Sequence, residues 1–201
     1  AESLRSDILN VADMPRLSRR VQRPHHLVSR QHFSSSHLSQ EGIFSTLYAL
    51  AAHHRPTLDG DKIGPYPLVL LRQLGYRLIS LESMTIGYPG FQRMLNIFHR
   101  RIPCKDDSEA FTRASALLRA QRNLPSAKHQ PLFILITTAE THHPYPFPPS
   151  ETHFRPVVPV RYDHLFTADK FRLKLWNRYR NAVRFLDKRL HTLLESLRPE
   201  Q

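Results

Sequence analysis

Three short segments of this chain carry side chains that could act together on a charged substrate. Glu2 supplies a carboxylate near the amino terminus, Ser39 a hydroxyl before a helical apolar pattern, and His142 an imidazole after an apolar strand pattern. A carboxylate can bind a divalent cation, a metal-activated hydroxyl can attack phosphorus or sulfur, and an imidazole can contact a substrate oxygen. The sequence contains no GxxxxGK[ST], GxGxxG, HExxH, GxSxG or CxxC motif, so the sites built from those motifs are not indicated.

Each of these residues also has a purely structural interpretation. Glu2 is compatible with a surface acid near a terminus, Ser39 with an ordinary helix N-cap serine, and His142 with a loop histidine. His142 and His143 do not indicate a zinc pair, because neighbours on an extended chain point to opposite sides. A hydroxyl at a helix start nevertheless suits an anionic substrate, since the helix dipole and the first N–H groups favour negative charge there.

Apolar periodicity predicts the elements that must position these side chains. Apolar residues recurring at helical spacing predict a helix over residues 42–52 that ends near Pro56. Residues 67–74 predict a second helix that stops at Gly75, and residues 76–82 predict the strand that follows it. Together these two elements form a helix–strand unit.

The second half of the chain continues this alternation. Residues 107–121 predict an amphipathic helix, and the uninterrupted apolar run 132–138 predicts a central strand buried on both faces. The proline-rich segment 142–159 predicts a long ordered loop or lid, and residues 168–197 predict a long helix with an apolar stripe. Alternating helices and buried strands predict an α/β fold with a mostly parallel central sheet flanked by helices.

The two ends of the chain fit this fold awkwardly. The chain opens at a polar turn and closes on a helix, whereas in a parallel α/β fold a helix normally leads to a further strand. We therefore expect residues 1–201 to be one incomplete domain.

The composition is strongly basic. Lys and Arg number 29 against 17 Asp and Glu, which gives a net charge of +12, and 23 of the basic residues are arginines. The planar guanidinium group suits phosphate and sulfate, so an anionic partner is indicated, although a high-GC genome would also enrich arginine. The basic stretch 19–30 resembles a nucleic-acid arm only in charge, because aromatic residues do not interleave with it and no groove-reading motif occurs. A solvated loop or short helix followed by a strand at 27–33, with no specific nucleic-acid partner, is favoured.

The cysteine count and the distribution of apolar residues exclude several further features. The single cysteine, Cys104, excludes an internal disulfide and a cysteine-only metal cage. No apolar run is long enough to span a bilayer, and the first residues lack the basic-then-apolar profile of a signal peptide.

Taken in order along the chain, the sequences of residues 2–7, 33–50, 71–77, 131–145 and 179–187 resemble the sulfatase-like branch of the alkaline phosphatase superfamily, especially its lipoteichoic acid synthase and phosphoethanolamine transferase type. Residues 2–7, Glu-Ser-Leu-Arg-Ser-Asp, resemble the first metal-binding segment of that family. Residues 33–50 resemble its nucleophile segment, in which Ser39 stands where the family usually has threonine and His37 where it usually has asparagine.

Three later segments extend the resemblance in the right order. Residues 71–77 are similar to the family's helix-Gly-Tyr-strand step, and residues 131–145 to its strand and His-x-Pro-aromatic loop. Residues 179–187 are similar to its Tyr-x-Asn-Ala-Val-x-x-x-Asp helix. The chain departs from the family in lacking a first strand before Glu2 and a later Asp-His-Gly segment with two further metal ligands. It also lacks the Cys/Ser-x-Pro-x-Arg signature of ordinary sulfatases, which disfavours sulfate-ester hydrolysis through a formylglycine.

The resemblance implies an incomplete alkaline phosphatase-like domain of a metal-dependent hydrolase or transferase. By resemblance, Glu2 and Ser39 bind a divalent metal ion, Zn²⁺ or Mn²⁺, Ser39 is the nucleophile, and His142 binds the substrate. The substrate is then an anionic phosphate or sulfate ester of a lipid or glycan headgroup. The family type implies a periplasmic or extracellular location, with membrane attachment through segments not in this chain. Because two ligands are too few for a tight site, we expect this chain to bind metal weakly and to have little activity.

A second interpretation stays open. The same fold could serve as a non-catalytic module in which arginines bind an anionic lipid or glycan headgroup. A downstream Asp-His-Gly segment in the complete gene would favour the enzyme over this module.

Overall fold

A computed structural model gives the structure of the chain. It describes residues 3–24, 26, 28–29, 33–60, 64–84, 91–125, 129–159 and 168–197. The chain divides into two compact units. Unit 1 comprises residues 1–28, 106–111 and 138–201, and unit 2 comprises residues 29–105 and 112–137.

Unit 2 is built around a parallel sheet of three strands, β1 (Arg77–Glu82), β2 (Arg100–Pro103) and β3 (Leu132–Thr137). The strand order is β2-β1-β3, and both pairings are parallel. In the register, Ile79 of β1 lies opposite Arg100 of β2 and Ile134 of β3. The predicted α/β class with a parallel sheet is therefore confirmed.

The centre of the sheet differs from the prediction. The strand between the other two is β1, whose residues 78–81 are buried, whereas every residue of β3 is half-buried. Within the described residues β3 pairs on one side only, so its apolar run does not reflect the central position that was predicted. A continuous apolar run also fits a strand whose faces are only partly covered.

Helices flank this sheet within unit 2. They are α2 (Ser39–Tyr48), α3 (Arg55–Gly60), α4 (Tyr66–Gln73), α5 (Phe91–Leu95) and the part of α6 (Asp107–Arg122) that follows residue 111. The predicted helices at α4 and α6 and the strand at β1 are confirmed. Gly75 ends the α4 region with φ +83°, a left-handed conformation that glycine adopts without steric cost.

The first predicted helix ends earlier than expected. Helix α2 stops at Tyr48, where Ala49 takes a left-handed φ of 55°, and a 3-10 turn follows at Ala52–His54. Pro56 does not end a helix but lies in the first turn of α3. Proline is tolerated at that position because its missing N–H has no helical partner there.

Unit 2 contains an apolar core cluster. Its aromatic and aliphatic members come from α2, α4, β1 and α5 and include Phe44, Leu68, Leu78, Phe91 and Leu95. Phe44 is fully buried and stacks on Tyr48 with ring centroids 4.3 Å apart. Helix α2 is therefore held in place by the core that also covers β1.

Unit 1 consists mainly of helices and long connections. It contains a 3-10 turn at Ser6–Ile8, α1 (Pro15–Arg20), the first turn of α6, a 3-10 turn at Pro149–Glu151 and α7 (Ala168–Glu195). The predicted long helix is confirmed as α7, and the segment 142–159 has no longer helix or strand, as expected for a loop. Among the described residues, no helix combines the length and apolarity needed to cross a bilayer.

One predicted strand, residues 27–33, lies largely outside the residues that the structure describes. Residues 27 and 30–32 of the expected strand 27–33 lie outside the described residues, and residues 28, 29 and 33 carry no strand.

Candidate functional site

Ser39 lies at the first residue of α2, in unit 2. Leu38 occupies the N-cap position with extended backbone, so Ser39 is not the N-cap serine of the structural interpretation. The N–H groups of Glu41 and Gly42 donate to the Leu38 carbonyl, which starts the helical pattern. The Ser39 side chain is half-buried. It thus stands in the first turn, where helical N–H groups and the helix dipole favour an anion.

The loop before Ser39 is organised by hydroxyl groups and one acid. The Ser36 hydroxyl donates to the Glu41 carboxylate, and the Leu38 N–H donates to the Ser36 oxygen over 3.1 Å. The Ser34 hydroxyl donates to the Ser36 carbonyl over 2.6 Å. Glu41 is also an acid in the first turn of α2, where the helix dipole stabilises negative charge. These short-range contacts fix the backbone that carries Ser39.

His142 lies in a double turn of unit 1. Its N–H donates to the Ala139 carbonyl over 2.9 Å, and its own carbonyl accepts the N–H of Tyr145 over 2.8 Å. The His142 side chain is exposed, and Nδ1 lies 2.9 Å from the His143 carbonyl oxygen. Because a carbonyl oxygen only accepts, Nδ1 must carry the hydrogen, which leaves Nε2 as the nitrogen available to a substrate.

Asp107 connects this double turn to the start of α6. Its carboxylate accepts the N–H of Ala139 over 2.9 Å and the N–H of Glu140 over 2.9 Å, and it is buried. The helix start itself is capped by the preceding residue, since Asp106 Oδ1 accepts the N–H of Glu109 over 2.9 Å. The Asp107 carboxylate therefore stabilises the backbone just before His142 rather than capping α6.

A buried acid sits in the same turn. Glu140 pairs with Arg189 of α7 over 2.7 Å, and its Oε2 atom has no hydrogen-bond partner among the described residues. Burial raises the pKa of Glu140 to about 8, although Arg189 opposes this shift; Asp107 and Asp106 add to it by like-charge repulsion. The turn thus contains a carboxyl group that changes charge near neutral pH.

The segment after Glu2 is held by α7. Glu2 itself lies outside the described residues. The Tyr179 hydroxyl accepts the N–H of Arg5 over 2.9 Å and donates to the Ser3 carbonyl over 3.2 Å. The Tyr179 ring also contacts Tyr145 edge to face, with centroids 5.2 Å apart. Tyr179 therefore contacts both the segment that follows Glu2 and the turn that carries His142.

Two further polar residues of the 179–187 segment bind distant backbone in the same way. Asn181 Oδ1 accepts the N–H groups of His153 and Phe154 over 2.9 and 2.8 Å. Asp187 is fully buried and accepts the N–H groups of Arg16 and Leu17 over 3.0 and 2.8 Å. The sequence showed these residues as a family pattern without roles. The sequence feature that could have identified them is the presence of polar residues on the buried side of an amphipathic helix.

The three predicted site residues are thus described to different extents. Glu2 lies outside the described residues, Ser39 belongs to unit 2 and His142 to unit 1. Their convergence on one pocket stays a prediction.

The divalent metal ion implied by the resemblance can be tested only against the described residues. Among them, no group of three or more His, Cys, Asp or Glu side chains could hold a metal ion. Zinc sites in proteins use three or four protein ligands. The described residues by themselves therefore do not form a metal centre, and the role of Glu2 stays a prediction.

Comparison with known proteins identifies the family. The family model described as Sulfatase matches residues 1–201. No curated protein matches the sequence. The three-stranded parallel sheet with its flanking helices is consistent with the fold of sulfatase-like hydrolases, which generally use a divalent metal ion. Because the match covers the full length, this chain belongs to the Sulfatase family.

Proposed function

We propose that this chain transfers or hydrolyses a phosphate or sulfate ester with Ser39 as nucleophile, in the manner of the lipoteichoic acid synthase and phosphoethanolamine transferase type. The observation that carries this proposal is the position of Ser39. Within the segment that resembles the family's nucleophile segment, Ser39 stands where the family usually has threonine, and it lies in the first turn of α2 rather than at the N-cap. The full-length family match supports the coarser part of the proposal, a sulfatase-like hydrolase.

In the proposed reaction, the Ser39 oxygen forms a bond to phosphorus or sulfur while the bond to the leaving oxygen breaks. The Ser39 hydroxyl gives up its proton to solvent and the leaving oxygen takes up a proton. Water or an acceptor alcohol later takes the transferred group from Ser39 and loses its own proton, while the serine oxygen is protonated again. We assign His142 to contact with the transferred group or the leaving oxygen. Because Nδ1–H is donated to the His143 carbonyl, Nε2 accepts a hydrogen bond in the neutral ring and donates one in the protonated ring.

We further propose that the activity requires a divalent metal ion, Zn²⁺ or Mn²⁺, with Glu2 and Ser39 as ligands. A metal ion would lower the pKa of the hydroxyl, which is otherwise a poor nucleophile at neutral pH. Two protein ligands are fewer than a tight site uses, so we expect weak binding. Calorimetry that finds nanomolar zinc affinity for this chain would contradict that expectation.

The proposed substrate is an anionic ester of a lipid or glycan headgroup, met at the periplasmic or extracellular face of a membrane. The charge of +12 and the 23 arginines support an anionic partner. The same arginine excess favours the second candidate function, a non-catalytic domain that binds anionic headgroups.

Turnover separates the two functions. The chain is incubated with 4-nitrophenyl phosphate, bis(4-nitrophenyl) phosphate or 4-nitrophenyl sulfate, with Mn²⁺ or Zn²⁺, and nitrophenol release is followed. We expect slow release that Ser39→Ala abolishes and that Ser45→Ala, the same change further along α2, leaves intact. Release that survives in Ser39→Ala would overturn the assignment of the nucleophile. Headgroup binding with no release in the wild type would favour the non-catalytic domain.

A further inference from the structure

Unit 1 contains an open pocket that no motif of the sequence indicated. Its volume is about 940 Å³, and it lies where the first turns of α7 meet the segment after Glu2 and the loop after His142. Residues on its walls include Arg5, Tyr145, Trp176 and Tyr179. Small-molecule sites are typically concave cavities of this size with apolar walls and a few polar groups.

One wall of the pocket is aromatic. Trp176 and Tyr179 stack with ring centroids 5.4 Å apart, and Tyr145 meets Tyr179 edge to face. Leu173 lies on the same pocket and is 62% exposed. Apolar surface of this kind is costly to leave in water, so an apolar group that covered it would be stabilised.

The charges at the pocket favour an anion. Arg5 lies over the Trp176 ring, 5.2 Å from its centroid, and is paired with Asp7 outside the pocket. Arg172 and Lys174 are exposed pocket residues and make no ion pair with another described residue. Against these cations, the described lining contains one acid, Asp169.

The backbone supports a binding role for the same residues. Ser3 and Tyr145 have φ values of 56° and 55°, in the left-handed region, and both line the pocket. Non-glycine residues adopt this conformation at a cost, and such residues cluster at binding sites.

We propose that this pocket binds an apolar alkyl or aryl group that carries a phosphate or sulfate. The aromatic wall and Leu173 contact the apolar group, while Arg172 and Lys174 attract the anion. That this ligand is also the substrate rests on the proposed function. That the pocket binds such a ligand rests only on the residues that line it. The ligand could come from a soluble ester or from a membrane lipid, and the test separates these sources.

The protein supplies its own reporter for this test. Trp176 is the only tryptophan of the chain, so its fluorescence reports directly on the pocket. The full chain is titrated with octyl phosphate below its micelle concentration, with glycerol phosphate and with octyl glucoside. We expect a saturable change with octyl phosphate at a concentration at least about tenfold lower than with either other compound. No saturable change with octyl phosphate, or equal responses to octyl phosphate and either other compound, would overturn the proposal.

Vesicles distinguish the source of the ligand once octyl phosphate binds. A stronger Trp176 response to phosphatidylglycerol vesicles than to phosphatidylcholine vesicles assigns the pocket to an anionic lipid. Binding of octyl phosphate without a vesicle response assigns it to a soluble ester.

Matched variants place the binding in the pocket. Leu173→Ser should weaken octyl phosphate binding about threefold to tenfold, because apolar contact is lost. Leu74→Ser is its control, since Leu74 is also 62% exposed but lies in unit 2. Arg172→Gln should weaken binding about threefold at low salt, whereas Arg119→Gln, the same charge change on exposed α6 surface, should not. Equal effects of pocket and control variants would contradict the assignment.

Failure of this inference is distinguishable from failure of the proposed function. Ser39→Ala should bind octyl phosphate as the wild type does, because Ser39 does not line the pocket. Binding of octyl phosphate without any ester turnover would support the ligand site in the pocket and contradict the proposed enzymatic function. Ester turnover without a Trp176 response to octyl phosphate would support the enzymatic function and contradict the ligand site.

Discussion

The helix start that carries Ser39 and the double turn that carries His142 are stabilised in opposite ways, the first by contacts close in sequence and the second by contacts distant in sequence. Ser39 stands on a helix start fixed by its own neighbours, since Ser36 and Glu41 are only five positions apart. The double turn of His142 is held from a distance, because Asp107 contacts backbone 32 and 33 positions later and Arg189 reaches Glu140 from α7.

This difference determines how each segment should respond to substitution. A local network loses one hydrogen bond at a time, and water can replace it at a half-exposed helix start. A buried carboxylate that holds distant backbone leaves several donors without acceptors when it is removed, which costs more. We therefore expect changes around His142 to have larger effects than changes around Ser39.

The largest effect is expected for Asp107→Ala. The substitution leaves the half-buried N–H of Ala139 and the buried N–H of Glu140 without their acceptor, which should lower the free energy of unfolding by about 3 kcal/mol. Urea denaturation measures this loss, and hydrogen exchange at these two amides localises it. Asp107→Asn keeps one acceptor oxygen and should lose about half as much. Equal stability of wild type and Asp107→Ala would mean that the turn is not held from α6.

An intermediate effect is expected for Glu140→Gln, and it should depend on pH. Burial raises the pKa of Glu140 in the folded state to about 8 from 4.5, so the folded state binds the proton more tightly than the unfolded chain. The resulting stabilisation is fully present below pH 4.5 and is lost as pH rises through about 8. The full difference between the two pKa values would correspond to about 5 kcal/mol, and partial solvation of the carboxyl group should reduce the loss of the wild type relative to Glu140→Gln to on the order of 2 kcal/mol across this window. Denaturant unfolding of both proteins at several pH values measures it, and parallel pH profiles would contradict the raised pKa.

The smallest effect is expected for Ser36→Ala. Removal of this hydroxyl deletes its hydrogen bond to Glu41 and the acceptor of the Leu38 N–H, which should cost about 1 kcal/mol. Ser35→Ala, an exposed neighbour, is the control and should cost less than about 0.5 kcal/mol. A loss from Ser36→Ala as large as that from Asp107→Ala would remove the contrast between the two segments.

The elements predicted correctly are those with local signals. Helix α4 and its stop at Gly75 follow from apolar spacing and from the left-handed φ that glycine allows. Strand β2 and helix α5 were missed, since four and five residues are too few to show a period. The apolar run of β3 was assigned to the sheet centre because a run reports apolar contacts but not which strand lies beside it.

The polar contacts of the site could be anticipated only in part. The Asp106 cap of α6 follows from the local order of an acid and a glutamate three residues later. The adjacent Asp107 carries no local sign that its carboxylate binds Ala139 and Glu140, because its partners are distant in sequence. The resemblance located residues 179–187 as a pattern, whereas the backbone partners of Tyr179 and Asp187 became visible only in the fold.

Ser39 as the nucleophile is the central claim, and a covalent adduct tests it most directly. The chain is incubated with a phosphate ester and Mn²⁺ or Zn²⁺, quenched in acid, digested and examined by peptide mass spectrometry. The account predicts a phosphoryl adduct on Ser39 that is absent from Ser39→Ala and present in Ser45→Ala. Ester turnover with no adduct on Ser39, or with the adduct on another residue, would contradict it.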